Sequence, residues 1–352
     1  MNFASDNAAP VAPEILDAIA QANVGFAPGY GDDEWSRAVE RRLSEIFERE
    51  VAAFLVPTGT AANALALAHL TPAWGVVFCH AESHIATAEC GAPEFFGGGL
   101  KLCGLSGAGG KIAAADLAAA LAGYGGHGPH QMTAATLSLT QASEAGTVYR
   151  IDEVTALCAI AHDHALAVHM DGARLANALV HLETTPARAT WRAGVDVLSF
   201  GLTKAGALAA EAVVFFDPAR AVCMPERRKR AGHLLSKHRF LAAQFTAMLA
   251  QGRWLELAGH ANAMARRLAE RLTAVHLAPV WPVEANLVFV ALPRRLEAWL
   301  KAAGARYYVR PSAGVAPGDR VLVRLVTSFA TQEDEIDRFV DLCKNFLAQA
   351  PP

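Results

Sequence analysis

The chain has 352 residues, 53% of them hydrophobic, with a mean hydropathy of +0.22. That length suffices for a large core and two domains; alanine supplies much of the apolar content and no apolar run is long enough to span a bilayer, so the composition indicates helix-rich packing and no membrane span. Its 31 basic residues nearly balance 34 acidic ones, which offers no footing for nucleic acid or an anionic membrane.

Residues 1–30 read as an exposed arm with a short helix from Pro13, and residues 1–6 lack the basic-then-apolar pattern of a signal peptide. Asp32 is placed to cap a helix that carries Trp35, Val39, Leu43, Ile46 and Phe47 on one face. A short apolar strand at 54–57 runs into Thr58-Gly59-Thr60-Ala61-Ala62-Asn63 and then an Ala/Leu helix. A strand, a glycine turn and a helix start leave unpaired backbone N–H groups aimed at one spot, which is a phosphate cup. It is not a nucleotide P-loop, because no Gly-Lys-Ser/Thr follows. Apolar runs at 75–78, 137–139, 165–170 and 195–200 alternate with helical patterns. That alternation predicts a mainly parallel sheet covered on both faces, with ligands at the carboxyl ends of its strands.

Within this region Gly107-Ala108-Gly109-Gly110 reads as a turn, and His162, Asp163 and His164 as the exposed end of a helix, with no metal site assigned. Asp171 follows the strand at 165–170. Lys204 follows the strand at 195–200, in the loop Gly201-Leu202-Thr203-Lys204-Ala205-Gly206, and apolar residues resume at 212–216. An amine and a carboxylate, each just after a buried strand and accompanied by a phosphate cup, are what pyridoxal phosphate needs. The lysine forms the Schiff base, and the acid keeps the ring nitrogen protonated so that the ring acts as an electron sink.

Arg227-Arg228-Lys229-Arg230, with Lys237 and Arg239, is a basic patch: either a solvated helix face or a source of cations that reach a phosphate across a subunit interface. A helical stretch with Leu241, Phe245, Leu249, Trp254 and Leu257 follows, then strands at 286–290 and 321–326. Thr331 with Asp334 matches a capping box, and the last helix carries Ile336, Phe339, Val340, Cys343 and Leu347 on one face. The expected division is an arm at 1–30, a large cofactor domain at 31–250 and a small α+β domain at 251–352. Six cysteines, with no Cys-x-x-Cys pair, fit free thiols in a reducing cytoplasm.

The motifs together resemble the fold-type-I pyridoxal phosphate enzymes, specifically the low-specificity bacterial branch of the L-threonine aldolase / β-eliminating lyase group. The matching words are Ser5-Asp6-Asn7, Tyr30-Gly31-Asp32-Asp33, Pro57-Thr58-Gly59-Thr60, His169-Met170-Asp171-Gly172-Ala173-Arg174, Thr203-Lys204 and Val323-Arg324-Leu325-Val326-Thr327, in family order. The resemblance implies an α/β fold like that of aspartate aminotransferase, with a mainly parallel seven-stranded sheet and a smaller C-terminal α+β domain. It also implies roles: Lys204 and Asp171 as above, Gly59 and Thr60 on the phosphate, and His84 stacked on the cofactor ring with Glu89 to orient it. Arg174, Arg324 and Ser5 would hold the substrate carboxylate, Arg174 would also contact the cofactor, and Tyr30 would contribute to a substrate site. Arginine suits a carboxylate because its planar fork grips both oxygens.

The implied reaction is retro-aldol cleavage of L-threonine, L-allo-threonine or a related β-hydroxy-α-amino acid such as phenylserine, to glycine and an aldehyde. Segment 139–148 lacks a second histidine found in many threonine aldolases. The base for the β-hydroxyl proton is therefore His84, a bound water, or a histidine of the loop with His127 and His130. The alternatives are β-elimination or transamination on the same cofactor, and a non-catalytic binding protein. Enzymes of this fold share sites between chains, so the resemblance implies a cytoplasmic homodimer or homotetramer.

Overall fold

The computed structural model describes residues 1–126, 128–311 and 318–349. In chain order its strands are β1 (Ala52–Val56), β2 (Gly75–His80), β3 (Lys101–Leu105), β4 (Thr133–Thr140), β5 (Ala167–Gly172), β6 (Val197–Gly201), β7 (Glu211–Phe215), β8 (Leu287–Pro293), β9 (Tyr308–Arg310) and β10 (Arg320–Val326). The first seven form one sheet in the order β1-β7-β6-β5-β4-β2-β3, and the last three form a second in the order β8-β10-β9. Strands β2 to β6 pair in parallel, whereas β7 runs against both β1 and β6. β2, β5, β6 and β7 are buried along their whole length, as strands covered on both faces are. This is the mainly parallel α/β architecture expected, with a smaller all-antiparallel sheet after it.

The reversal of β7 follows from its connection. β6 and β7 are joined by nine residues, 202–210, too few for a parallel crossover, so the chain turns back beside itself. Lys204 sits in that turn. The carboxyl ends of β1, β5 and β6 and the start of β7 therefore meet at one edge: Val56 and Gly201 both lie opposite Glu211, and Asp171 lies opposite Ser199.

Helices α1 (Pro13–Ala22), α2 (Glu34–Ile46), α3 (Gly59–Leu70) and α4 (His84–Thr87) occupy the first quarter of the chain. Asp33, not Asp32, caps α2: its Oδ1 accepts from the Ser36 N–H at 2.8 Å, leaving Asp32 one position outside the helix. α3 is buried without interruption from Ala61 to Ala68, because it lies across β5, β6 and β7 and faces protein on all sides. Alanine suits that position by letting helix and sheet approach closely. The helix Glu333–Gln349 begins one residue later than the Thr331/Asp334 pattern requires, and the Thr331 hydroxyl instead accepts from the Ser328 N–H at 2.9 Å.

Among the described residues two apolar cores are the largest. One, under the large sheet, includes Leu43, Phe47, Phe200, Phe216, Phe245 and Trp254. The other, under the three-stranded sheet, includes Leu268, Val288, Val323, Phe339 and Cys343, and takes Phe3 as well. The helix Arg253–Thr273 supplies Trp254 and Leu257 to the first and Leu268 and Leu272 to the second. The arm is not exposed at its start. Phe3 stacks edge-on against Phe339 at 5.3 Å, and backbone bonds tie it to Arg306 and Val326. A phenyl ring at position 3 gains more from that core than from solvent, which the polar residues around it conceal in the sequence.

We propose that the chain divides near residue 250, with Phe3 serving the domain at 251–352. Phe3→Ala should cost about 3–5 kcal/mol. Hydrogen exchange should show amide protection falling across 264–343 more than across β4 to β6. A uniform loss would argue against separate domains.

Candidate active site

The meeting edge of the large sheet opens into a cleft of about 230 Å³ lined by Gly59, Thr60, Asn63, His84, Asp171, Lys204 and their neighbours. At the first turn of α3, the Thr58 hydroxyl caps the Ala61 N–H at 3.1 Å. Gly59 and Thr60 stand before it at the start of the helix, where N–H groups have no intrahelical acceptor.

Asp171 is buried, and its two oxygens are fixed separately. Oδ1 accepts from the Ala173 N–H at 3.0 Å and Oδ2 from Asn63 Nδ2 at 3.0 Å. Burial opposes its charge, but Lys204, the Ala173 amide and His84 outweigh it and hold the carboxyl below the ordinary aspartate range. Beneath it His169 lies between Ser138 and Ser199, each at 2.9 Å. Burial pulls that imidazole down to about 4, so it stays neutral. Lys204 is partly exposed, toward the cleft.

On the opposite wall, at the start of α4, His84 Nδ1 meets Glu89 Oε1 at 2.8 Å, and Asn63 Nδ2 donates to the same oxygen at 2.8 Å. Asn63 thus bridges Glu89 and Asp171. The Glu89 hydrogen bond raises the pKa of His84 against the effect of burial, and burial raises that of Glu89. Two buried acceptors in this wall, Asn63 Oδ1 and Glu89 Oε2, have no hydrogen-bond partner among the described residues.

The arginines flank the cleft. Arg174 Nε and Nη2 reach the Asp6 carboxylate at 2.8 and 2.9 Å, a two-point pair with both partners buried. Asn286 Nδ2 donates to Asp6 at 3.0 Å. Burial opposes both charges, yet each strengthens the other: the Asp6 pKa falls and the Arg174 pKa rises. Arg324 donates to the Ala4 carbonyl at 3.3 Å and lies over Tyr308 at 5.4 Å, while its Nε has no partner among the described residues. Burial, Arg174 and Arg310 lower its pKa. Ser5 accepts from the Asn7 N–H at 3.2 Å and lies beside Asp6.

Of the sequence-predicted residues, Gly59, Thr60, His84, Asp171 and Lys204 line one cleft, while Arg174, Ser5 and Arg324 gather around Asp6 behind its lining residues Asn7 and Ala173. Tyr30 does not join them. It lies with Arg228 and His238 on a separate cavity of about 170 Å³, under Lys229 at 4.4 Å. Arg228 is half buried, and burial lowers its pKa to about 10. His130 is also distant, for it precedes the start of β4, whose eight residues separate it from the cleft edge by roughly 26 Å. His127 lies outside the described residues. His162 pairs with Asp196 at 3.1 Å on the surface, and among the described residues no group of His, Cys, Asp and Glu is arranged to hold a metal ion.

Sequence reading gave no role to Asn63, Asp6, Asn286 or Glu211. Asn63 and Glu211 did carry a signal: a lone amide in an alanine helix, and a carboxyl opening an otherwise apolar strand.

Residues 2–294 match the Beta-eliminating lyase family model. The chain belongs to the Beta-eliminating lyase family. It is 43% identical to the low specificity L-threonine aldolase of Pseudomonas aeruginosa over 87% of this chain and 88% of that one. It is 39% identical to the low specificity L-threonine aldolase of a Pseudomonas species over 95% and 94%. The structure of Leishmania major threonine aldolase superposes with a TM-score of 0.92 at 29% identity, covering 98% of this chain and 99% of that one. In this family member the Asp6–Arg174 pair is a structural keystone of the cleft wall. Asp6→Asn, which leaves a buried guanidinium without its counter-charge, should cost about 3–5 kcal/mol, read as a lower urea midpoint at pH 7. An unchanged midpoint would remove the pair from that role.

Proposed function

We infer that the protein is a pyridoxal-phosphate-dependent aldehyde-lyase that cleaves L-threonine, L-allo-threonine and related β-hydroxy-α-amino acids to glycine and an aldehyde. The observation that carries this is the cleft in which Lys204, an ionised Asp171 and the Gly59–Thr60 helix start meet within a family of such lyases. The residues fit the cofactor. They offer an amine, a fixed carboxylate, helix-terminal amides and two buried acceptors that lack partners among the described residues, Asn63 Oδ1 and Glu89 Oε2.

In this reading Lys204 anchors the cofactor, Asp171 holds a proton on the ring nitrogen, and the Gly59 and Thr60 amides hold the phosphate. When bound, the cofactor supplies an electron sink for the pair left by the broken Cα–Cβ bond. Arg324 and the Nη1 of Arg174, which Asp6 does not use, grip the substrate carboxylate with help from Ser5. That grip sets which Cα bond faces the sink. His84, held through Nδ1 by Glu89, presents Nε2 to the β-hydroxyl and takes its proton. A histidine whose pKa the Glu89 hydrogen bond raises is better able to hold that proton.

Tyr30 and the basic residues beside it serve the cleft of a neighbouring subunit in a homodimer or homotetramer. Their distance from the cleft of their own chain, and the exposed Val24 and Phe26 nearby, support this. Six free cysteines support a cytoplasmic location, and among the described residues no helix is long and apolar enough to cross a membrane.

With threonine or phenylserine and added pyridoxal phosphate, the protein should release glycine and an aldehyde. Keto acid and ammonia would point to elimination instead. Lys204→Ala should abolish both turnover and the adduct trapped by borohydride. His84→Ala should keep the cofactor and slow turnover by about 10²–10⁴-fold, and full turnover would move the base elsewhere. Sedimentation should find dimers or tetramers, and a monomer with full activity would overturn the shared site.

A further inference from the structure

Glu211 opens a strand whose other residues are Ala, Val, Val and Phe. Because β7 runs against its neighbours, its first residue stands at the same edge as the last residues of β1 and β6. The side chain does not escape to solvent: Glu211 is 6% exposed and lines the cleft beside Gly59, Thr60 and Lys204. Its Oε2 is 3.7 Å from where a Cβ on Gly59 would stand, and 2.6 Å from where one on Gly201 would stand. Glycine at 201 is thus what makes room for the carboxyl, and the carboxyl is aimed at the first turn of α3.

That turn is where the proposed function puts the phosphate, and the inference rests on that reading. We propose that Glu211 serves the cleft as a neutral carboxylic acid that donates its proton in a hydrogen bond to the cofactor phosphate. An ionised carboxylate at this place would face a second anion across a low-dielectric cleft, whereas a protonated one adds a donor to the helix amides.

The surroundings permit the neutral form. No ion pair reaches Glu211 among the described residues. The groups that act on it are the Thr203 hydroxyl and amide and the Lys204 ammonium, which favour the carboxylate, and Asp171, which opposes it. α3 presents Gly59, Thr60 and Asn63, β1 presents Val56 and β6 presents Gly201, none of them charged. Burial dominates and raises the Glu211 pKa to about 7. A phosphate that binds the protonated form pushes this value further up, so cofactor affinity falls as pH rises past 7.

The experiment titrates the cofactor-free protein with pyridoxal phosphate from pH 6.5 to 8.5, in the wild type and in Glu211→Gln, which keeps a donor and cannot ionise. Ionisations of the cofactor and of Lys204 are common to both. The wild type should lose roughly tenfold more affinity across that range than Glu211→Gln. Pyridoxal, which lacks the phosphate, should show no such difference. A second measurement needs no variant. Adding pyridoxal phosphate to the wild type at pH 8 should produce the C=O stretch of a protonated carboxylic acid in the difference infrared spectrum. Parallel pH profiles, an equal effect with pyridoxal, or absence of that band would each overturn the proposal. Failure of the cofactor reading itself would look different, as no binding by either protein at any pH.

Discussion

The cleft depends on holding a negative and a positive side chain near one another at the rim of a dry sheet. Asp171 ends one strand and Lys204 follows its neighbour, and the lysine makes the charge of the aspartate tolerable where water is scarce. The arrangement is possible because β7 turns back after nine residues and does not cross over through a helix. A parallel continuation would have carried the lysine loop away behind a helix. One topological reversal therefore gathers an amine, two carboxyls and a helix start on the same edge.

Around that pair, polar side chains are linked in sequence. Asp171 leans on Asn63, Asn63 on Glu89, and Glu89 on His84. Such a chain fixes rotamers more firmly than separate contacts would, because each member loses its partner if another turns. The neutral His169, wedged between two serines, adds rigidity without adding charge. The result is a wall whose electrostatics are set before anything binds, which is the condition under which a site works without reorganising.

Much of this was legible in the sequence. Strands show as apolar runs bounded by glycine, and the residues at their ends are the ones that reach the cleft, so Asp171, Lys204 and Gly59 stood out. What stayed hidden was long-range pairing. Nothing local says that Asp6 faces Arg174 across 168 positions, or that Phe3 belongs to a core assembled near the other end of the chain. β3 and β9 were missed because each is short and mostly exposed or half-buried, so neither shows a buried apolar run. The cap of α2 fell one residue late because Asp32 and Asp33 are chemically alike, and only backbone geometry separates them.

The first six residues do more than fill space. Phe3 is stitched into the three-stranded sheet by backbone bonds, and three residues later Asp6 clasps an arginine at the head of a helix in the other half of the molecule. The segment is thus a short strap between the three-stranded sheet and the head of that helix. Drawing the sheet away from the helix would pull the carboxylate off the guanidinium and strand two buried ions, so the strap resists that separation.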